Sequence, residues 1–204
     1  MNKISIKNRE RLDSHVVEAF DMLRTNIEFA GNNVKTLVVT SACAKEGKSL
    51  IAFQLAGNLA DNDKRTLLVM CDYRKGVSGK SSNVMGITET LTGKAGLNDS
   101  VYKTDIQNLY KMFSGENIAN ADQLVSSSAF EKMVAVLKKK FDYVIFDTEP
   151  VLDSNITSIL CSKCDGTILI MEQEKTRQDV VFAAKEQIEL AGGNILGAVL
   201  NNPV

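Results

Sequence analysis

Several things are scarce in this 204-residue chain. No apolar run approaches the ~20 residues that a membrane-spanning helix needs. The first residues, MNKISIKNRERLD, lack the apolar core of a secretion signal. There are only two prolines and no Pro-rich, repetitive or low-complexity tract, so nothing marks a linker between domains. Histidine occurs once, at His15, far in sequence from the single Cys-x-x-Cys formed by Cys161 and Cys164. A lone pair of this kind is weak evidence for a structural zinc site, which takes four ligands. Net charge is −1 and the isoelectric point about 5.9. Neither value argues for a general attraction to nucleic acid or anionic lipid, so no nucleic-acid partner is expected. With four cysteines, read as reduced buried thiols, these absences point to a cytoplasmic protein.

What is present is an alternation. Residues 13–30, DSHVVEAFDMLRTNIEFA, place Val16, Phe20, Leu23 and Ile27 at helical spacing, with Asp13 or Ser14 available as a cap. Short apolar runs then recur as buried strands: TLVVT (36–40), TLLVMC (66–71), YVIFD (143–147), TILIM (167–171) and ILGAVL (195–200). Helices are expected over 48–60, over 177–191 with a stop at Gly192-Gly193, and as one or two segments within 120–141. Phe130, Met133, Val134 and Leu137 give that last region an apolar face. NLYKMFSG (108–115) reads as a strand entering a turn, and GITETLTG and GLNDSVYKT as short helix and turn pieces. DYRKGVSGKSSNVMG reads as a mobile loop. Apolar strands alternating with helices belong to a sheet covered on both faces. The expected architecture is one α/β domain over residues 1–204, a three-layer α/β/α fold with a mostly parallel central sheet.

The chemistry concentrates where the first apolar strand ends. Ala42-Cys43-Ala44-Lys45-Glu46-Gly47-Lys48-Ser49 fits the pattern Ala/Gly-x4-Gly-Lys-Ser/Thr of a phosphate-binding loop. Phosphate oxygens need convergent donors, and successive backbone N–H groups supply them. Amides of residues 43–49 are expected around the phosphates, with Ala44, Lys45, Glu46, Gly47, Lys48, Ser49 and Leu50 as the contacts. The helix that starts here turns its positive end to the same place. Lys48 reaches the terminal phosphates, and the Ser49 hydroxyl binds Mg²⁺. Hard oxygen ligands for that ion are available at Asp72 and Asp147, each following an apolar strand. In an open parallel sheet, ligands sit beyond the carboxyl ends of strands, so Ser41, Asp72 and Asp147 should converge.

VVEAFDMLRTNIEF, TSACAKEGKS, LLVMCDYRKG, FDYVIFDTEPV and NILGAVLNN, in this order and spacing, resemble the bacterial tyrosine kinases (BY-kinases) of capsular and exopolysaccharide synthesis, over about residues 13–202. The resemblance implies a MinD/ParA-like P-loop fold and transfer of the γ-phosphoryl group of ATP, with Mg²⁺, to tyrosine. It implies an activating membrane partner, the polysaccharide co-polymerase subunit, which recruits the kinase to the inner face of the membrane. It also implies rings of kinase copies, with the helix at 13–30 as the self-association element. Lys48 and Ser49 match the family's phosphate and Mg²⁺ contacts, Asp72 the second acid of its Asp-x-Asp-x-Arg motif, Arg74 that motif's arginine, and Asp147 the Walker B acid. Asn201 matches an asparagine near the adenine.

Four departures bear on what the chain does. Met70 replaces the first acid of Asp-x-Asp, and a thioether neither binds metal water nor accepts a phenolic proton. The family's Glu-x-x-Arg-x-x-Arg is here Glu18-x-x-Asp21-x-x-Arg24. The four tyrosines, 73, 102, 110 and 143, are scattered rather than clustered. Glu149 stands where the family has a proline. Three readings follow: a tyrosine kinase, an ATP-binding switch that acts through assembly, and a MinD/ParA-type ATPase. The third is weakened because the signature lysine of such ATPases falls at Cys43.

Overall fold

The computed structural model describes residues 3–6, 12–31, 33–73 and 84–201. The five apolar runs and NLYKMFSG become strands, and one more joins them: β1 Thr36–Ser41, β2 Thr66–Met70, β3 Val101–Lys103, β4 Leu109–Met112, β5 Tyr143–Asp147, β6 Gly166–Glu172 and β7 Ile195–Asn201. They form one sheet in the order β3-β4-β2-β5-β1-β6-β7. Every pairing is parallel except β3 with β4.

The helices are α1 Ser14–Phe29, α2 Lys48–Asp61, α3 Ile87–Leu91, α4 Leu97–Ser100, α5 Ala121–Ser126, α6 Ser128–Lys140, α7 Asn155–Lys163 and α8 Gln178–Leu190. Side chains alternate across the strands, which divides the core in two. Leu37, Val39, Ile145, Ile168 and Ile170 face Ile27 of α1 and the apolar side of α2. Val38, Val69, Val144, Phe146 and Leu169 face α6 and α8, with Phe130, Leu137, Ala184 and Ile188 opposite. β1 and β5, covered on both sides, are buried at every position. That explains why their sequences are continuous apolar runs rather than alternating ones.

Three local expectations change. β7 is an edge strand exposed at several positions, not a buried one, because β6 is its only neighbour in the sheet. GLNDSVYKT is not only helix and turn: after the four-residue α4 it supplies β3, which turns back antiparallel on β4. Asp13 is the N-cap of α1, yet its side chain makes no cap bond; its carbonyl instead receives Val16 and Val17 N–H. The loop read over 72–86 lies mostly outside the described residues. At the base of the sheet Asp165 ties β1, α6 and β6 together, accepting from the Lys35 and Thr36 amides, the Thr36 hydroxyl and Lys138 Nζ.

Candidate functional site

β5 lies between β2 and β1, and the register sets their ends level. Asp147 pairs with Met70 on one side and Val39 on the other. Cys71 N–H donates to Asp147 O at 2.8 Å, and Val151 N–H to Ser41 O at 2.9 Å. The chain segments carrying Ser41, Asp72 and Asp147 therefore meet at one end of the sheet. Asp147 is 2% exposed, while Asp72 is half-buried. Arg74, the remaining residue expected here, lies outside the described residues.

Residues 42–47 link β1 to α2 in a tight loop. Gly47 has φ +88° and Lys45 φ +65°. Glycine suits the first of these because a Cβ there would lie 2.3 Å from Asn201 Nδ2. Gly47 is also the N-cap of α2, whose first turn carries no acid, so none of the helix's own first residues opposes an anion there. Lys48 is 8% exposed, and its ammonium donates to Ser41 Oγ at 2.9 Å and Cys43 O at 3.3 Å. The charge is thus held inside the ring of the loop. Ala44, Lys45, Ser49 and Leu50 are exposed around it.

Cys43 behaves differently from the sequence reading. It is exposed rather than buried, and its N–H is committed to Glu46 Oε2 at 2.7 Å instead of being offered to a phosphate. Partial desolvation by its neighbours and then the Glu46 carboxylate push its thiol up. Glu46 itself is 2% exposed. Its second carboxylate oxygen accepts from the Thr176 hydroxyl, and its main-chain oxygen accepts Asn201 Nδ2 at 3.2 Å. Asn201, expected beside an adenine, is thus seated directly on the phosphate loop. Thr176 belongs to no motif, and no sequence signal singles it out.

Two further residues shape the site. Lys111 on β4 points to the same side of the sheet as Asp147, as the alternation with buried Met112 requires. Burial lowers its pKa, and the Asp147 carboxylate opposes that. Beside the loop, a cleft of about 310 Å³ is lined by Tyr73, Ala121, Glu149, Asp153 and Asn155, among others. Glu149, the residue in place of proline, is 5% exposed, and its main-chain oxygen accepts the Thr40 and Thr157 hydroxyls. On α1, Asp21 accepts Asn58 Nδ2 at 2.8 Å.

The donor set fits a triphosphate: a glycine-bearing loop, an enclosed ammonium and a helix N-terminus meet at one point. Among the described residues, no group of three His, Cys, Asp or Glu can hold a metal alone. A magnesium ion at this end would therefore draw on phosphate oxygens together with Ser49, Asp72 and Asp147, which is its usual habit.

The family model described as AAA domain matches residues 14–183. The tyrosine-protein kinase CpsD of Streptococcus agalactiae is 37% identical over 188 residues, which cover 90% of this chain and 82% of that protein. The chimerical protein CapA2B2 superposes with a TM-score of 0.87 at 30% identity, over 98% of this chain and 92% of its own. The kinase domain of the Escherichia coli tyrosine kinase ETK superposes with a TM-score of 0.84 at 27% identity, over 91% and 75%.

Proposed function

The chain belongs to the bacterial tyrosine kinases, within the AAA-domain family, and on that premise we propose that it binds Mg-ATP on the loop 42–49 and transfers the γ-phosphoryl group to a tyrosine of another polypeptide. The observation that carries this reading is the meeting of the Lys48 ammonium, held by Ser41 Oγ and Cys43 O, with the ends of β2 and β5 that bear Asp72 and Asp147. Lys48 offsets charge on the β- and γ-phosphates, and the loop amides fix their position. Of the two acids, half-buried Asp72, at the rim, takes the phenolic proton instead of serving the ion, as the tyrosine oxygen bonds to phosphorus and ADP leaves. Buried Asp147 and Ser49 would hold the ion. When bound, magnesium neutralises charge that builds on the phosphate oxygens.

By the same resemblance the chain serves capsular or exopolysaccharide export, working with a membrane co-polymerase subunit that recruits it to the inner membrane face and activates it. No helix among the described residues is long and apolar enough to cross a membrane. The test is incubation of the chain with Mg-ATP and the cytoplasmic tail of that partner, reading ADP release and phosphotyrosine. Label on tyrosine supports the kinase; no label on any tyrosine removes it.

One pair of observations favours a second reading, a nucleotide-gated switch without phosphoryl transfer. Met70 leaves the position opposite Asp147 without a carboxylate. Asp21, where the family's self-association motif has arginine, is engaged within the chain by Asn58. Tight ATP binding with negligible turnover selects this reading.

A further inference from the structure

A carboxylate in the wall of an anion-binding loop is electrostatically awkward. Like charges a few ångströms apart repel, and more strongly where water is partly excluded. Glu46 is such a group: it directly precedes Gly47-Lys48, and the residue is 2% exposed. Its orientation is set from outside the motif. Oε2 takes the Cys43 N–H at 2.7 Å, and Oε1 takes the hydroxyl of Thr176, 130 positions away.

Thr176 is built to hold that bond. It sits in the turn between β6 and α8, where its own N–H and that of Lys175 both donate to Glu172 O. Its Oγ1 accepts Glu172 N–H at 3.0 Å. With an oxygen lone pair used in this way, the hydroxyl proton is left directed at Glu46. On the basis of the nucleotide reading above, we propose that Thr176 is a positioning residue for the phosphate loop. By binding the Glu46 carboxylate, it keeps that negative charge turned away from the phosphates. Asn201, donating to Glu46 O, holds the main chain of the same residue from the β7 side. The loop is thereby shaped by two residues that touch its outer wall and that the motif does not contain.

A lost donor leaves a buried carboxylate oxygen unsatisfied, and the side chain relieves this by swinging toward Lys48 and the phosphates. Thr176→Val keeps the shape and removes the donor. It should weaken Mg-ATP binding by about tenfold, the scale of one charge-assisted hydrogen bond. Thr176→Ser restores the donor and should bind within about twofold of the parent, while Glu46→Gln should bind a few-fold more weakly.

The decisive variant is Glu46→Gln/Thr176→Val. With the charge gone, the double variant should bind no more weakly than Glu46→Gln alone. The assay is calorimetric titration of the full chain with Mg-ATP, with thermal unfolding to confirm a cooperative fold and Thr176→Ala as a second variant carrying the same expectation. Binding by Thr176→Val and Thr176→Ala equal to the parent overturns the proposal. So does a double variant weakened by the product of the two single effects, which marks a merely structural threonine. A parent chain that takes up no Mg-ATP overturns the nucleotide reading itself, and this proposal with it.

Discussion

Met70 on β2 lies directly across from Asp147 on β5. In the pattern that the sequence resembles, that position holds a carboxylate; here a thioether stands across from Asp147. Met70→Asp should raise ADP release and phosphotyrosine formation by about 10²-fold, the low end of what one acid/base group contributes. Without the cation, two facing carboxylates repel and one is driven to hold its proton. The variant should therefore melt lower than the parent alone and gain more than the parent from Mg-ATP. Unchanged turnover at saturating Mg-ATP would show that Met70 is not what limits transfer.

Lys48 tests the site rather than the choice between kinase and switch. The residue is 8% exposed, and its ammonium donates to Ser41 Oγ and Cys43 O. Lys48→Met removes the charge at nearly constant volume, so affinity for Mg-ATP should fall by more than about 10²-fold, the scale of a lost charge-assisted contact in an enclosed site. Circular dichroism should stay that of the parent. Retained binding by calorimetry would place the triphosphate elsewhere.

Gly47 is constrained twice. Its φ of +88° strains any residue with a Cβ, and that Cβ would meet Asn201 Nδ2 at 2.3 Å. Gly47→Ala should cost about 2 kcal/mol of folding free energy in urea unfolding. Adding Asn201→Ala removes the collision but not the dihedral strain, so it should recover part of the loss. Complete recovery would mean that backbone conformation is irrelevant here.

How much of this was legible in the sequence depends on what each part rests on. β1 and β5 were readable because burial on both faces gives each an unbroken apolar centre, LVV and VIF. The loop was readable because phosphate geometry restricts residue type at fixed spacing. β3 was not: its three residues pair through the backbone, and VYK carries no pattern of its own. α7, with Asn155, Thr157 and Ser158 along its first turns, shows too weak an apolar period to stand out. The role of Glu46 was half legible. Its place in the motif was plain, but the partner that orients it, Thr176, is fixed only by how β6 packs beside β1. Likewise the commitment of the Cys43 amide to Glu46 is a property of the closed loop, not of spacing.

The four tyrosines are poor acceptors as folded. Tyr73, Tyr102 and Tyr143 are 4%, 7% and 9% exposed, and half-buried Tyr110 packs edge-on to Phe141 beneath Arg65. Tyr102 Oη is engaged on both sides by Met85, accepting its N–H at 2.9 Å and donating to its carbonyl at 3.2 Å. Burial, followed by the Glu28 and Asp142 carboxylates, pushes the Tyr143 phenol up, further from the charged form that attacks phosphorus. Mass-spectrometric mapping after incubation with Mg-ATP should find none of these four modified, while an added polypeptide with exposed tyrosines takes the label. Phosphate on Tyr143 of the folded chain would contradict this.

Asp165 predicts how stability responds to acid. Burial alone raises its carboxyl, but the Lys138 ammonium at 2.6 Å, the Lys35 and Thr36 amides and the Thr36 hydroxyl together outweigh that. The net pKa lies below the ordinary aspartate value of about 3.9. A depressed folded-state pKa means that the ionised form stabilises the fold. That contribution is complete above the unfolded value and shrinks once the unfolded chain begins to take up its proton. It is gone when the pH has fallen through the folded value. Asp165→Asn, which cannot ionise, should therefore be less stable than the parent at pH 7, with the gap narrowing between about pH 5 and pH 3. Urea unfolding of both proteins across that range checks the sign. A gap that stays constant would assign the role of Asp165 to hydrogen-bond geometry alone, and one that widens on acidification would mean that burial, not Lys138 and the β1 amides, controls the carboxylate.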